Sequence, residues 1–148
     1  MLTKKTMLLT IDDIVEKLSK TYELNLKPSQ VVHHVWDVLR DLPDYFFVDE
    51  MSKDLSVNGR MVQAPIDTYK VRRIVNLTEK KDWTYNPKTN RIEFAKTYVG
   101  TLKIEYCTIP IDENNYPYIP EDADKAILAY ILGIQVQMKV FKSPVIST

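Results

Sequence analysis

Adjacent acidic residues are the first groups in this sequence that could perform chemistry. Three such pairs are Asp12 with Asp13, Asp49 with Glu50, and Glu121 with Asp122. Paired carboxylates can exchange protons with a substrate or bind a cation. The first and third pairs, however, stand where helices are predicted to begin, and negative side chains stabilise that end of a helix. The second pair fits an exposed strand or turn, so each pair has a structural explanation.

The two histidines, His33 and His34, are neighbours in a predicted helix. Adjacent helical residues point about 100° apart, so these rings cannot hold one metal ion as residues four apart can. The spacing favours one histidine that is partly packed and one that faces solvent. No metal site is expected.

The single cysteine, Cys107, lies in a predicted strand and excludes an internal disulfide. A buried small apolar residue is a better interpretation than a nucleophile, because no base can be assigned to it. The chain also lacks a Gly-rich phosphate loop, Cys/His metal spacing and a nucleophile elbow, and it has 3 glycines in total. We therefore expect neither an enzyme nor a cofactor.

The charges balance, with 20 basic and 20 acidic residues, so no overall field attracts nucleic acid or anionic lipid. One basic cluster remains, formed by Lys70, Arg72 and Arg73. Lys70 and Arg72 would project from one strand face and could contact the phosphates of DNA. The alternative is a solvated strand face or a salt bridge between subunits.

The chain's 148 residues fit one domain, 1–148, which can bury about two-thirds of its unfolded surface. Residues 10–42 are predicted to form a helical pair. Thr10 caps a first helix that ends near Tyr22, and a second helix begins at Pro28 or Ser29 and ends before Pro43. Residues 1–10 lack the apolar core of a signal peptide, so we expect synthesis in a cytoplasm.

Residues 45–107 are predicted to form a small antiparallel sheet, folded as a sandwich or open barrel, which makes the class α+β. Strands are expected at 45–51, 55–57, 60–62, 69–77, 83–85, 91–94 and 101–107, and Leu102, Ile104 and Tyr106 should share one face of the last strand. Asn58 and Gly59 predict a type I′ hairpin turn, and residues 86–90 predict a second hairpin turn. The candidate partner-contact tips are Asn58, Gly59, Pro87, Lys88 and Thr89. Residues 108–120 predict a stiff connection, wider than a hairpin turn.

The last predicted element is a long helix at 120–141, followed by a tail at 142–148 that is either disordered or ordered by a partner. The helix is too short to span a bilayer, which takes roughly 20 apolar residues, so no contact with a membrane is expected. Its apolar residues form two stripes, although a helix that only covers a core needs one. The second stripe predicts a subunit interface, formed by Leu128, Leu132, Val136 and Val140.

The order of these elements resembles that of the head-to-tail adaptor (connector, neck ring) proteins of tailed bacteriophages, notably of the short-tailed and crAss-like types. The resemblance lies in I-E-Y at 104–106, Y-P-Y-I-P-E-D-A at 116–123 and A-I-L-A-Y at 126–130. It implies a virion protein at the neck that forms a dodecameric ring under the portal protein. The ring would extend the DNA channel and bind the next tail or neck protein. Genomic DNA would pass through without sequence-specific binding.

A second interpretation is a small nucleic-acid-binding or regulatory module, with the helical pair in a groove and Lys70, Arg72 and Arg73 on phosphates. Binding that weakens steeply with salt would distinguish it from a ring subunit. An enzyme ranks third.

Overall fold

The computed structural model describes residues 7–43, 47 and 49–142, with no description of the side chains of residues 80 and 138–142. Within these residues it contains helices and antiparallel strands, which confirms the predicted α+β class. The helices are α1 (Ile11–Tyr22), α2 (Pro28–Arg40) and α3 (Asp124–Lys142). The strands are β1 (Leu8–Leu9), β2 (Glu50–Gln63), β3 (Thr68–Ile74), β4 (Trp83–Asn86), β5 (Arg91–Thr108) and β6 (Ile119–Pro120).

Local signals set the bounds of the first two helices. The Thr10 hydroxyl accepts a hydrogen bond from the Asp13 amide at 3.2 Å, and the Asp13 carboxylate accepts one from the Thr10 amide at 2.9 Å. This reciprocal cap satisfies amides that the first turn leaves without partners. Helix α1 ends where Glu23 adopts a left-handed conformation, with φ of 55°. Helix α2 begins at Pro28, as predicted.

Strand β5 is the centre of the main sheet. It pairs with β2 on one side, and with β3 and β4 at different points on the other. The predicted strands at 91–94 and 101–107 are parts of this one long strand. The predicted hairpin across residues 86–90 is confirmed, because β4 pairs with the start of β5.

The predicted hairpin turn at Asn58 and Gly59 is wrong. Strand β2 continues through both residues, and they pair with Val99 and Tyr98 of β5. The register then shifts between Gly59 and Met61, and Gly59 has φ of 136°. Glycine is therefore needed here for a bulge in an extended strand instead of a two-residue turn.

Two other predicted segments differ in extent. Strand β3 ends at Ile74, before the predicted end at residue 77. Strand β2 begins at Glu50, and residues 44–46 and 48 of the predicted strand at 45–51 lie outside the described residues. Of the predicted tail at 142–148, Lys142 is the last residue of α3, and residues 143–148 lie outside the described residues.

The connection between β5 and β6 is longer than a hairpin turn, as predicted, and folds back on itself. The Asp112 amide donates to the Tyr116 carbonyl at 2.9 Å, and Ile111 forms a bridge with Pro117. Asn115 has φ of 62°, a conformation that asparagine tolerates better than most residues.

The apolar interior has two parts. The helical cluster joins α1, α2 and α3 to one end of the sheet, and contains Ile11, Ile14, Leu18, Val31, Val35, Trp36, Leu39, Phe47, Tyr69, Cys107, Ile109, Ile119, Ala123, Ile127, Leu128 and Ile131. The sheet cluster contains Val57, Ala64, Ile74, Ile92, Phe94, Leu102, Ile104 and Tyr106. Strand β5 contributes to both, because Cys107 points to the helices whereas Leu102, Ile104 and Tyr106 share the opposite face, as predicted.

Candidate functional site

A cleft of about 700 Å³ lies where α2 meets three connections of the β-rich part, and we call it the α2 cleft. Its volume is within the usual range of about 300–1,000 Å³ for sites that bind small ligands. Helix α2 provides one wall, with Val32, His33, Trp36, Asp37 and Arg40. The connections provide the others, with Gln63, Ala64, Ile66, Lys88, Thr89, Asn90, Asn114, Asn115 and Tyr116.

Arg40 is the buried cation of this cleft, and only 7% of its surface is exposed. Its Nε donates to the Thr68 carbonyl at 3.0 Å and its Nη2 to the Ile66 carbonyl at 2.8 Å. The guanidinium lies 4.4 Å from the ring centre of Trp36, which is a favourable cation–π distance. Burial lowers the pKa of Arg40, although the negative charge of Asp37 opposes that change. Arg40 thus fixes α2 to the connection between β2 and β3.

Asn90 forms the rigid floor of the α2 cleft. It is buried with φ of 54°, and its side-chain amide donates to the carbonyls of Ala64 at 3.2 Å and Pro65 at 2.9 Å. The Tyr85 hydroxyl donates to Asn90 Oδ1 at 2.6 Å. Burial raises the pKa of Tyr85 to about 12. This hydroxyl therefore stays protonated and can act as the donor at any physiological pH.

A second cleft of about 740 Å³ continues the first along α2 toward α3. Asp37 and Lys88 line both clefts, and Val38, Leu42, Ala126 and Tyr130 line the second. The Tyr130 hydroxyl donates to the Asp37 carboxylate at 3.4 Å. The two clefts form one groove between α2, the β4–β5 hairpin and α3.

The histidines adopt the two predicted environments. His33 is exposed at the α2 cleft, and His34 is half-buried with its ring edge-on to Tyr130, 5.9 Å between centres. Within the described part of the chain, no three His, Cys, Asp or Glu side chains come together as a metal site requires. Cys107 is a buried free thiol on β5.

The basic cluster is engaged within the chain. Arg73 forms two hydrogen bonds with Glu105, Nε to Oε1 at 2.7 Å and Nη2 to Oε2 at 3.2 Å, and these hold the pKa of Glu105 below its usual value. Arg72 Nε donates to Cys107 Sγ at 3.1 Å. Lys70 Nζ lies 3.4 Å from the Arg40 carbonyl. Arg73 therefore forms a salt bridge within its own chain, with a partner that the sequence interpretation did not name.

The second stripe of α3 divides between core and surface. Leu128 is buried in the helical cluster, and Leu132 packs partly against it. These two residues are thus largely occupied within their own chain. Val136 is 61% exposed, whereas the side chain of Val140 lies outside the described residues.

The two predicted contact tips have different positions. Asn58 and Gly59 lie in the β2 strand, so they do not form a tip. Residues 87–89 are exposed at the end of the β4–β5 hairpin, and Lys88 and Thr89 line the α2 cleft.

Sequence reasoning missed the α2 cleft, because its walls come from segments far apart in the chain. A partial signal was present in Arg40, which lies four residues after Trp36 and so shares its helix face. A cation on the apolar face of a helix needs acceptors or an aromatic ring, and Arg40 has both.

Comparisons of the chain with protein-family models and with curated proteins found no match. Among the described residues, no helix has the length and apolar content needed to cross a bilayer.

Proposed function

We propose that this chain is a non-enzymatic structural subunit of a head-to-tail adaptor, the ring between portal and tail in a tailed bacteriophage. Its place would be the neck of the virion, after assembly in the host cytoplasm. The proposal rests on the sequence resemblance at 104–106, 116–123 and 126–130, together with one structural observation on α3. Twelve copies, as the resemblance implies, would extend the DNA channel.

The observation that carries the proposal is the distal half of α3, which extends beyond the helical cluster. Leu132 is the last residue of this helix in or against the helical cluster among the described side chains, yet the helix continues to Lys142. At 1.5 Å per residue, this adds roughly 15 Å of helix. Val136 is 61% exposed on this extension, and the sequence places Met138, Val140 and Phe141 further along it. Apolar residues on a helix that extends past its own core can be covered by another chain.

The engaged basic cluster is consistent with a channel that holds DNA weakly. A ring multiplies every lumen charge by its number of subunits, so unpaired arginines would bind the passing DNA tightly. Arg73 is instead paired with Glu105. We therefore expect the double variant Arg72→Ala with Arg73→Ala to affect assembly more than retention or ejection of DNA.

Electron micrographs of the purified protein, alone and mixed with its candidate portal protein, test the proposal. We expect rings or added density under the portal for the parent chain. Val136→Asp should abolish them while far-UV circular dichroism is unchanged, because a charge cannot be buried without a partner. Gln137→Asp is the matched control, since it adds the same charge at the neighbouring exposed position and should assemble normally. Absence of parent assemblies in both samples, or equal behaviour of the two variants, would contradict the proposal.

A further inference from the structure

We propose that the α2 cleft is a binding site for a carboxylate side chain, carried on an extended segment of a partner protein and anchored by Arg40. The site does not depend on the ring proposal, because it uses α2 and the β-rich part instead of the distal half of α3. Three features support this site, namely the hydrogen bonds of Arg40, the charges around the cleft and the shape of the cleft.

Arg40 retains donor capacity at the cleft. Two of its nitrogens bond to the carbonyls of Thr68 and Ile66, which leaves its Nη1 without a hydrogen-bond partner among the described residues. This atom is not fully enclosed, and Arg40 is one of the residues that line the cleft. Carbonyl groups do not neutralise a guanidinium, and no described carboxylate lies within ion-pair distance of it. A buried charge that lacks a counter-ion favours an incoming carboxylate.

The surrounding charges favour the same ligand. Lys88 stands on the opposite wall and adds a second cation, and His33 adds a ring that can donate. Asp37 is the acidic residue of the lining, and it also accepts the Tyr130 hydroxyl. Within the α2 cleft the cations Arg40 and Lys88 therefore outnumber the carboxylate of Asp37, whereas the continuing cleft adds the second carboxylate of Asp41. The buried contacts of Arg40 and Asn90 hold this arrangement in place before any ligand arrives, which lowers the entropy cost of binding.

The shape of the groove favours a peptide segment over a small acid. The two clefts share Asp37 and Lys88, and together they follow α2 from Val32 to its end at Arg40 and continue to Leu42. The helical part is roughly 12 Å long at 1.5 Å per residue, the length of about four residues in an extended chain. Apolar surface from Trp36, Val38 and Pro87 along the groove suits apolar side chains on either side of the carboxylate.

Nuclear magnetic resonance titration of the ¹⁵N-labelled full chain tests the site with two peptides, acetyl-ALELA-amide and acetyl-ALQLA-amide. The signals to follow are the indole N–H of Trp36 and the Nε–H of Arg40. Trp83 is a built-in control, because its indole N–H donates to the Leu77 carbonyl in the sheet cluster at 3.2 Å. We expect saturable shifts at Trp36 and Arg40 but not at Trp83. Binding of the glutamine peptide should be at least about tenfold weaker, because it cannot form a charged pair with Arg40.

Two variants separate the site from general charge effects. Lys88→Glu should weaken binding of the ALELA peptide about fivefold or more, and Lys96→Glu, an exposed control outside the cleft, should not. Arg40→Lys keeps the charge but loses the planar fork, and should weaken binding further. Its fold is checked by the unchanged Trp83 signal. Equal binding of the two peptides, equal loss in both glutamate variants, or no saturable shift at about 10 mM peptide would overturn the proposal.

Discussion

The Tyr85 hydroxyl and the Asn90 side chain close the β4–β5 hairpin from the inside, through a hydrogen bond of 2.6 Å. Asn90 is held in a left-handed conformation while its amide group binds the carbonyls of Ala64 and Pro65. One side chain thus joins the hairpin to the connection after β2. The floor of the α2 cleft depends on this single junction.

Asn90→Ala should destabilise the protein by about 3 kcal/mol, from lost hydrogen bonds of about 1 kcal/mol each and because alanine tolerates the left-handed conformation less well than asparagine. Asn90→Gly is the matched control, because it loses the same hydrogen bonds without the conformational cost. Urea denaturation should therefore rank the parent above Asn90→Gly and Asn90→Gly above Asn90→Ala. Equal stability of the two variants would show that the backbone conformation at residue 90 carries no cost.

Leu128→Ala should lower the free energy of unfolding by about 3 kcal/mol, because Leu128 is buried in the helical cluster. Val136→Ala should change it by less than about 0.5 kcal/mol, since Val136 is exposed. The difference can be measured by thermal unfolding at protein concentrations where the chain is monomeric. Leu132→Asp should also destabilise the monomer, which makes it a poorer probe of assembly than Val136→Asp. If the Leu128→Ala monomer were as stable as the parent monomer, Leu128 would belong to an interface instead of the core.

The Arg73–Glu105 pair predicts an acid-dependent contribution to stability. The Arg73 guanidinium lowers the pKa of Glu105 in the folded state, so the contribution is complete above the ordinary pKa of about 4.3. It is lost as the pH falls through the lower folded-state pKa, where Glu105 binds a proton. In Arg73→Ala, the carboxyl carbon signal of Glu105 should titrate at higher pH than in the parent. An unchanged midpoint would mean that the pair does not form in solution.

Two tyrosines with raised pKa values predict loss of stability in alkali. Burial raises the pKa of Tyr85 and of Tyr106 to about 12, against about 10 in the unfolded chain. Between these values the unfolded state has released protons that the folded state retains, so stability falls as pH rises. Tyr85→Phe should show a shallower decline of the unfolding free energy above about pH 10. Absorbance at 295 nm should show at least two of the nine tyrosines ionising near pH 12. Ionisation of all nine in one step near pH 10 while the fold persists would contradict the assignment.

Insertions in the β4–β5 hairpin should be tolerated at one position and not at the next. A Gly-Ser-Gly insertion after Lys88 lengthens the exposed tip, and should leave the melting temperature nearly unchanged. The same insertion after Thr89 separates two carbonyls that Gln63 Nε2 binds, at 3.2 Å on Thr89 and 2.7 Å on Asn90, and should cost about 2 kcal/mol. If the tip contacts a partner, the insertion after Lys88 should leave a stable monomer that no longer assembles. Normal assembly would show that the tip has no role in it.

The parts of the fold that local signals determine could be predicted from the sequence. Thr10 and Pro28 define helix starts through contacts within four residues, and residues 86–90 form a turn whose strands are adjacent in the chain. Asn58 and Gly59 carry an equally strong local signal, yet the pairing of β2 with β5 overrides it. That pairing joins residues about 40 positions apart, which no short pattern encodes.

The candidate site was largely beyond prediction for the same reason. The stripe of α3 was visible as a pattern, but its division into buried Leu128 and exposed Val136 depends on where the helical cluster ends. The α2 cleft depends on the mutual positions of a helix and three connections. Arg40 illustrates this limit of prediction. Its sequence position indicates which helix face it lies on, but does not indicate that it binds the carbonyls of Ile66 and Thr68.

The composition of the helical cluster has a consequence for synthesis on the ribosome. Helices α1 and α2 emerge first, but they pack on Ile127, Leu128 and Ile131 of α3, which emerges last. Strand β1 likewise pairs with β6, more than 100 residues later in the chain. The nascent N-terminal helices therefore cannot complete the burial of their apolar faces until α3 has been translated. All residues of the sheet cluster lie within residues 55–106, so this cluster can form before α3 is translated. It then keeps the N-terminal helices close to the segment that leads into α3.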